Sequence, residues 1–488
     1  MTDVTDDRLV KSIYALKDAA PLLSAERTFI PRQRNGILIA VATVAITTAL
    51  WWRIALPVLI GLATLAYLST ILFRVSLMYH ATRHPEIATV SDEDARAVPD
   101  DELPVYTVMI PCYKEPEVVG QLLQGMIDME YPQHKMDIKL LLEADDEATI
   151  AAAEAHRADQ VCEVIIVPAA APRTKPKALN YGLQTARGTF LTIFDAEDRP
   201  DSLQLRKAAI SLARAPADIA CLQAELAYFN PDQNIITRWF TLEYELWFRQ
   251  FLPGLSRVSA PIPLGGTSNH FRRDVLVAAG GWDPFNVTED ADLGVRLHRL
   301  GYRTGMLDSV TLEEANSDFV NWVKQRSRWY KGYLQTWLVH MREPVWLARE
   351  VGWRGFLRFN LFVGGTPALA MLNPVFWGLT IAWFALRPTT IQDLFPAPVY
   401  YTGLGTWLFG NFFFAYTFLL AAYKHPERKV FTAALLAPLY WVAMSMAAVK
   451  AGTQLIVNPQ YWEKTQHGLA GQTSPPTKAA ATAAPAEP

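Results

Sequence analysis

The sequence predicts a mixed α/β domain with a mostly parallel sheet, inserted between transmembrane α-helices. Strand-like runs such as VYTVMIPCY, DIKLLLEA and TFLTIF alternate with helical runs in the middle of the chain. Such alternation is typical of parallel sheets, whose ligand sites lie past the carboxyl ends of the strands. Apolar segments on both sides of this middle are long enough to cross a bilayer, which takes about 20 residues.

The 488 residues divide into five parts by composition. Arg53 separates two apolar runs that predict a transmembrane hairpin, and the basic flanks of this hairpin place both of its ends in the cytoplasm. The expected parts are a cytosolic segment (1–34), the transmembrane helical hairpin (35–80), the α/β domain (100–342), an interfacial helix with C-terminal transmembrane helices (343–457), and a C-terminal segment with a disordered tail (458–488).

Composition excludes one class of partner. Lys and Arg number 45 against 48 Asp and Glu, so there is no overall positive field that would indicate nucleic-acid binding. Apolar residues make up 51% and charged residues 19%, as expected of a membrane protein with a large water-facing domain. Cys112, Cys162 and Cys221 lack metal-binding spacing and predict reduced thiols that pack as small apolar side chains.

Three acidic groups lie at the ends of predicted elements. EADD (143–146) and DAED (195–198) close strands, and TED (288–290) opens a helix. In an extended segment Asp195 and Glu197 would point to one side and could hold a divalent cation. A solvated turn, and an ordinary helix start with acids in its first turn, are the alternatives.

A basic and aromatic stretch surrounds QRSRW (325–329). On a helix, Gln325, Arg328, Trp329 and Gly332 share one face. The other basic and aromatic side chains are interpreted as anchors of a helix at the membrane surface, and these are Lys324, Arg326, Lys331 and Trp337.

The ordered series of motifs resembles the membrane-bound family 2 glycosyltransferases, the group that contains cellulose, hyaluronan and chitin synthases. QRSRW fits the Q-(Q/R)-x-R-W signature of that group and is the most specific match. The resemblance covers about residues 104–340 and implies a GT-A-type nucleotide-sugar-binding domain. The series consists of IPCYKEP (110–116), EADD, KPKALN (175–180), DAED, TED and QRSRW.

The resemblance implies a role for each matching residue. Asp290, beside Glu289, would be the catalytic base, and Asp195 and Glu197 would hold Mg²⁺ or Mn²⁺. Trp329, Gly265 and Gly266 would contact the acceptor. Lys177 replaces the small residue that is usual at its position, which leaves its role open. The nucleotide-sugar would be bound by Glu115, Glu143, Asp145, Lys175, Asn180, Asp195, Gln325 and Arg328.

The implied function is inverting transfer from a cytosolic UDP-sugar, UDP-glucose or UDP-N-acetylglucosamine, to build a β-linked polysaccharide. The enzyme would be a multi-pass protein of the inner (plasma) membrane with a cytoplasmic catalytic domain. Its partners would be the donor, a glycan or lipid acceptor, the lipid bilayer and other subunits of an export system. Two alternatives stay open: transfer of a single sugar to a lipid, and a non-catalytic scaffold subunit of an envelope-polysaccharide system.

The segment QYWEKTQHG (460–468) has two interpretations. It resembles a segment that some of these synthases place over the donor pocket, with Trp462, Lys464, Thr465 and His467 as candidate contacts. Alternatively it lies at the membrane edge. One further crossing at 431–457 would place it outside the cell, unless 356–386 folds as more than a single span or the last apolar segment turns back at Pro438.

Overall fold

The computed structural model describes residues 6–83, 86–387, 389–425, 429–459 and 461–463. The predicted disordered tail, and the candidate contacts Lys464, Thr465 and His467, lie outside these residues. All three cysteines are buried and free, as expected.

In the described part of the chain, nine strands form one sheet. They are β1 (Ile87–Ala88), β2 (Tyr106–Cys112), β3 (Met136–Glu143), β4 (Glu163–Val167), β5 (Phe190–Ile193), β6 (Arg199–Pro200), β7 (Ile219–Tyr228), β8 (Asn269–Arg272) and β9 (Arg303–Glu313).

The sheet confirms the prediction of a mostly parallel arrangement. Its order is β1-β9-β7-β8-β5-β2-β3-β4, and β6 pairs with β9. The strands from β5 through β2 and β3 to β4 are parallel to their neighbours, and β8 is antiparallel to β5 and β7. The carboxyl ends of β2, β3 and β5 therefore meet at one edge of the sheet.

Helices cover both faces of the sheet because alternate residues of each strand point to opposite sides. Met109 and Leu141 belong to one buried cluster, whereas Val108 and Leu140 belong to the other. The helices of this domain are α3 (Asp92–Ala97), α4 (Val119–Ile127), α5 (Glu147–Ala155), α6 (Lys175–Leu183), α7 (Gln204–Arg214), α8 (Ile235–Leu246), α9 (Leu252–Arg257), α10 (Arg273–Ala278), α11 (Glu289–Arg299) and α12 (Phe319–His340).

The N-terminal segment packs on this domain. Helix α1 (Asp7–Ala19) lies beside α6, where Asn180 Nδ2 donates a hydrogen bond to the carbonyl of Ser12 at 3.0 Å. Further on, Asp283 accepts a hydrogen bond from the backbone N–H of Ala25 at 2.5 Å. Arg342 donates to the carbonyl of Leu22 at 2.9 Å. The N-terminal segment is therefore packed directly on the α/β domain.

Helix α2 (Pro31–Arg83) contains both predicted N-terminal spans, and its torsion angles depart from helical values at Trp51 (φ −135°, ψ 46°). Near its start, Gln33 donates a hydrogen bond to the carbonyl of Leu338 at 2.7 Å. Near its end, Leu77 and Met78 belong to the main buried cluster. Both ends of α2 therefore contact the α/β domain and its neighbours, and the hairpin stays a prediction.

Among the described residues, three helical segments are long and apolar enough to cross a membrane, namely Pro31–Arg83, Gly352–Leu386 and Ala397–Tyr423. The apolar segment 431–457 is instead divided near Leu436, just before Pro438, and its second part packs along α12. The remaining helices are α13 (Pro344–Glu350), α14 (Gly352–Phe359), α15 (Gly365–Leu386), α16 (Thr389–Asp393), α17 (Ala397–Lys424), α18 (Val430–Leu435) and α19 (Ala437–Val457).

The expectation that the flanking residues of QRSRW anchor a membrane-surface helix is wrong for two of them. Arg326 is 6% exposed and Lys331 is 1% exposed, and both are covered by protein. Arg326 forms an ion pair with Glu243 of α8, and Tyr440 of α19 lies against the same guanidinium at 3.2 Å. Helix α12 is thus an internal helix, because α19 packs along it and side chains of α8 contact Arg326 and Trp329.

Candidate active site

A cavity of about 1640 Å³ begins at the carboxyl ends of β2, β3 and β5 and continues between the apolar helices. It brings together twelve of the predicted site residues. These are Glu115, Glu143, Lys175, Asp195, Glu197, Gly265, Gly266, Glu289, Asp290, Gln325, Arg328 and Trp329.

Asn180 and Asp145 are not among the lining residues. The amide of Asn180 donates to the carbonyl of Trp282 at 2.7 Å and accepts from the N–H of Trp282 at 3.0 Å, besides its bond to Ser12. It therefore holds the turn before α11. Asp145 pairs with Arg173 at 2.5 Å, and it is Arg173 that lines the cavity.

The DAED segment is a turn rather than the extended segment expected, because the N–H of Asp198 donates to the carbonyl of Asp195 at 3.1 Å. Asp195 and Glu197 nevertheless both line the cavity. Asp198 closes the turn by accepting a hydrogen bond from the N–H of Asp195 at 2.8 Å. Glu313, at the end of β9, lines the cavity beside them.

These carboxylates carry more negative charge than their surroundings stabilise. Burial, together with the charges of Asp195 and Glu197, raises the pKa of Asp198 well above its usual range. Burial and the same neighbours, including Asp198, raise the pKa of Glu313. A divalent cation would relieve this repulsion, and carboxylate oxygens are ligands that Mg²⁺ and Mn²⁺ accept.

The residues present fit such a cation only in part. Among the described residues, no group of three or more His, Cys, Asp or Glu side chains is arranged to hold a metal ion. Asp195 and Glu197 would therefore supply two protein ligands, with donor phosphate oxygens and water as the others.

Lys175 connects the carboxylate turn to the loop at Gly266. Its ammonium group forms an ion pair with Asp195 and donates to the carbonyl of Gly266 at 2.8 Å. Although burial opposes it, the charges of Asp195 and Glu289 raise the pKa of Lys175. A Cβ atom at Gly266 would lie 3.4 Å from Oδ2 of Asp290, so the loop backbone lies directly against this carboxylate.

Asp290 and Glu289 open α11 and differ in their protonation. Burial raises the pKa of Asp290 to about 6. Burial and the charge of Asp290 raise the pKa of Glu289 to about 8. Burial and mutual repulsion therefore favour one shared negative charge on the pair, and Asp290, with the lower pKa of the two, is the carboxylate that can accept a proton.

The predicted shared face of α12 meets this site. A Cβ atom at Gly332 would lie 2.3 Å from Cγ2 of Thr288, so this glycine allows α12 to approach the start of α11. Burial lowers the pKa of Arg328. The charges of Glu289, Asp290 and Asp195 act against this shift and raise the pKa in part. The guanidinium of Arg328 is therefore close to the carboxylates of the site.

Trp329 lines the cavity in a fixed orientation. Its ring stacks on Phe240 with centroids 5.9 Å apart and planes 15° apart. The guanidinium carbon of Arg326 lies 4.6 Å from the centroid of the same ring. Oε1 of Gln325 is buried and has no hydrogen-bond partner among the described residues, which leaves it available to a ligand.

Residues 461–463 lie against α12, at the edge of the cavity. The ring of Trp462 lies 5.2 Å from the guanidinium carbon of Arg328, and Trp462 lines the cavity. Glu463 holds the segment by pairing with Lys450 at 2.7 Å, and Lys331 donates to the carbonyl of Tyr461. The break near Leu436 accounts for this placement.

Sequence reasoning missed two contributors to the site. Glu313 ends a strand, as Glu143 does, and the same rule could have identified it. The role of Lys177 was left open by the sequence, and the structure shows that it is fully buried and pairs with Glu143 at 2.7 Å. Its burial depends on the packing of α6 on the sheet, which no local sequence pattern predicts.

The sheet, with carboxylates, a lysine and an arginine at its carboxyl edge, has a GT-A-like mixed α/β fold. The chain is similar in structure to the mannosyltransferase PcManGT from Pyrobaculum calidifontis, solved in complex with GDP-Man and Mn²⁺. The TM-score is 0.52 at 17% sequence identity, over 82% of this chain and 99% of that chain.

Residues 104–332 match the model of the family "Glycosyltransferase like family 2", and residues 256–450 match "Glycosyl transferase family 21". The α/β domain is therefore similar to family 2 glycosyltransferases over most of its length. It is 25% identical to the probable glycosyltransferase YdaM of Bacillus subtilis, over 47% of this chain and 56% of that protein. It is 27% identical to the β-monoglucosyldiacylglycerol synthase of Synechocystis sp., over 54% and 53%.

The probable glucomannan 4-β-mannosyltransferase 1 of Arabidopsis thaliana is 24% identical, over 54% of this chain and 49% of that protein. The chain thus spans about half the length of these curated relatives.

Proposed function

We propose that the protein is an inverting glycosyltransferase that uses a cytosolic UDP-sugar, UDP-glucose or UDP-N-acetylglucosamine, to extend a β-linked polysaccharide. The proposal includes a multi-pass placement in the inner (plasma) membrane, with the α/β domain in the cytoplasm. The observation that carries it is the continuous cavity between Asp290 and the apolar helices.

The apolar helices turn polar and aromatic side chains toward this cavity at helical spacing. On α15 these are Thr366, Asn373 and Thr380, seven residues apart. Tyr67 on α2 donates a hydrogen bond to Oδ1 of Asn373 at 2.6 Å, so the polar row continues across the two helices. Polar groups inside membrane helices are costly and commonly mark a substrate path. Hydroxyl, amide and aromatic groups together suit a sugar chain.

The chemistry follows from the residues at the sheet edge. Asp290 would remove the proton of an acceptor hydroxyl, whose oxygen then attacks the anomeric carbon while the bond to the UDP oxygen breaks. Attack from the side opposite the leaving group inverts the configuration. Lys175 and Arg328 would neutralise the departing diphosphate. A divalent cation held by Asp195 and Glu197 would supply further charge stabilisation there.

Transfer of one sugar to a lipid is the second candidate, and it is favoured by the apolar part of the cavity wall. Leu369, Phe376 and Phe414 line the same space as the polar row. The similarity to a β-monoglucosyldiacylglycerol synthase is in keeping with this alternative. Lipid glycosylation and chain extension need the same groups around Asp290, so only the product separates them.

The first experiment follows UDP release by the protein in nanodiscs, across a panel of UDP-sugars with Mg²⁺ or Mn²⁺ and with GDP-mannose for comparison. Long glycan products are expected from one UDP-sugar, and a lipid carrying a single sugar would establish the second candidate. Asp290→Asn should abolish release. A folded protein that releases nucleotide from no donor, with candidate acceptors and export subunits supplied, would indicate the scaffold alternative.

A second test addresses the path between the helices. Trp377→Ala removes a ring from the cavity wall, whereas Trp353→Ala removes a ring that is 69% exposed on α14. If the cavity guides a polymer, Trp377→Ala shortens the products and leaves the first transfer unchanged, and Trp353→Ala changes neither. Equal product lengths in the two variants would contradict a polymer path here.

A further inference from the structure

Arg74 is a cation in the wall of the cavity, and it belongs to a helix that is long and apolar enough to cross a membrane. It lies about one helical turn before Leu77, whose backbone packs against Gly254 of α9. Arg74 is therefore near the end of α2 that joins the α/β domain. A charged side chain on such a helix is costly and commonly marks a substrate or ligand path.

The guanidinium of Arg74 has few partners in the protein. Within the part of the chain that the structure describes, it donates one hydrogen bond, to Oγ1 of Thr366 at 3.0 Å, and forms no ion pair. Its Nε–H is buried without a hydrogen-bond partner there. The ring of Phe414 lies 5.6 Å from the guanidinium carbon but accepts none of these hydrogen bonds. Glu243, a carboxylate of the same cavity wall, is already paired with Arg326.

A structural arginine of the same protein is bonded differently. Arg296 donates from Nε to Asp292 at 2.7 Å, from Nη1 to the carbonyl of Ala279 at 2.6 Å and from Nη2 to that of Gly281 at 2.8 Å. A guanidinium carries five N–H donors, and most of those of Arg74 are left without an acceptor. The charge of Arg74 is thus available to an anionic ligand in the cavity.

Tyr333 of α12 lies between this cation and Asp290, and all three side chains line the cavity. Burial raises the pKa of the Tyr333 hydroxyl, and the charge of Asp290 raises it further. The charge of Arg74 acts more weakly and lowers the same pKa. Asp290 and Arg74 are therefore both close to one phenol, in the same stretch of the cavity.

Beyond Arg74 the wall becomes mostly apolar. Thr366 lies at the start of α15, and Leu369 and Phe376 line the cavity further along this helix. The order from Asp290 outward is therefore a carboxylate, a cation with a hydroxyl group, and then hydrocarbon. A phospholipid has the matching order of a headgroup hydroxyl, a phosphate and acyl chains.

We propose that Arg74 and Thr366 bind the phosphate of a phospholipid acceptor, whose headgroup hydroxyl reaches Asp290 and whose acyl chains lie along α15. A guanidinium donates paired hydrogen bonds to phosphate oxygens, and the threonine hydroxyl can donate another. The headgroup oxygen gives its proton to Asp290 and bonds to the anomeric carbon as the bond to the UDP oxygen breaks, and the phosphate is unchanged. The inference rests on the second candidate function, transfer of one sugar to a lipid, and names the class of acceptor.

The test titrates the full-length protein in a neutral maltoside detergent with a short-chain phosphatidylglycerol, followed by calorimetry. Arg74→Gln should weaken binding by roughly 10- to 100-fold, the range for a lost hydrogen bond to a charged group. Arg83→Gln removes the same charge from an exposed position at the end of α2, outside the cavity wall, and should bind as the unaltered protein does. Arg74→Lys keeps the charge and should retain part of the affinity.

Two further ligands identify the group that is bound. The matching diacylglycerol lacks the phosphate, so the unaltered protein and Arg74→Gln should bind it alike. Inorganic phosphate lacks the acyl chains and should bind far more weakly than phosphatidylglycerol. Without ligand, Arg74→Gln should unfold at the same or a higher temperature, because it removes a cation that has no counter-charge.

Three outcomes of the titration would overturn the proposal. Arg74→Gln could bind phosphatidylglycerol as the unaltered protein does, or inorganic phosphate could bind as tightly as the lipid. Arg74→Gln could also unfold at a lower temperature and lose both lipids equally, as a structural arginine would.

Transfer in nanodiscs that contain phosphatidylglycerol separates this inference from the proposed function. The expected product is phosphatidylglycerol carrying one sugar, formed by the unaltered protein and not by Asp290→Asn. UDP release with a glycan or glycosylated diacylglycerol as the product, and no sugar on the phospholipid, would refute the inference and leave the glycosyltransferase function intact. No UDP release from any donor would overturn both.

Discussion

Asp290→Asn should stabilise the protein while it abolishes transfer, because the ionised carboxylate is costly in the fold. Burial raises the pKa of Asp290 from 3.8 to about 6. An acid whose pKa is raised by folding binds its proton more tightly in the folded state, so its contribution to stability is lost as the pH rises through about 6. Asparagine keeps the oxygen that accepts the N–H of Ala291 at 2.7 Å and removes the charge.

The expected gain depends on pH in a defined way. Each pH unit between the folded and unfolded pKa values corresponds to about 1.36 kcal/mol, which gives about 3 kcal/mol at pH 7.5. At pH 5, where folded Asp290 is already mostly protonated, about half of this gain remains. A gain of this size corresponds to a rise of a few degrees in the unfolding midpoint.

The assay is thermal unfolding in nanodiscs at pH 7.5 and pH 5, with UDP release measured on the same samples. Asp274→Asn, at an exposed carboxylate of α10, is the control and should change neither quantity. The reasoning is refuted if Asp290→Asn unfolds at the same or a lower temperature at pH 7.5, or if its advantage is equal at both pH values.

Four other results are expected. Gly332→Ala should reduce transfer strongly and cost about 1–3 kcal/mol, since its Cβ would meet Thr288 Cγ2 at 2.3 Å; unchanged kinetics would contradict this packing. Arg326→Met should lower the free energy of unfolding by about 3–5 kcal/mol because it removes the counter-charge of Glu243, which keeps only the hydrogen bond from Tyr440, and Lys11→Met at an exposed pair serves as its control. The transfer rate should fall as the pH drops below about 6, where Asp290 takes up a proton, and a flat profile would exclude it as the base. Chelation by EDTA should stop transfer, and added Mn²⁺ or Mg²⁺ should restore it if Asp195 and Glu197 hold a cation.

Much of the sheet and of its acidic edge could be predicted because each signal is local. Glu143 ends β3, the DAED turn follows β5, and Lys175 begins α6, as their positions after apolar runs indicated. A residue's place at the end of a strand follows from its neighbours in sequence. The roles of these residues stay proposals, since position alone does not show which ligand they contact.

The features that the sequence did not reveal depend on contacts between distant parts of the chain. Asn180 bonds to Ser12, which lies 168 residues away, and therefore supports α1 instead of lining the cavity. Arg326 meets Glu243 at a separation of 83 residues, so a basic residue near an apolar run became internal. Helical periodicity gives the face of a residue but not the element that covers that face.

The burial of α12 explains why basic and aromatic residues are concentrated there. Arg326 on one face binds Glu243 of α8 and meets Tyr440 of α19. Lys331 and Ser327 contact residues 461–463, while Arg328 and Trp329 face the cavity. Since one helix carries all of these contacts, a shift of α19 or of residues 461–463 would move the donor and acceptor groups together. The position of α19 is thereby coupled to the geometry around Asp290.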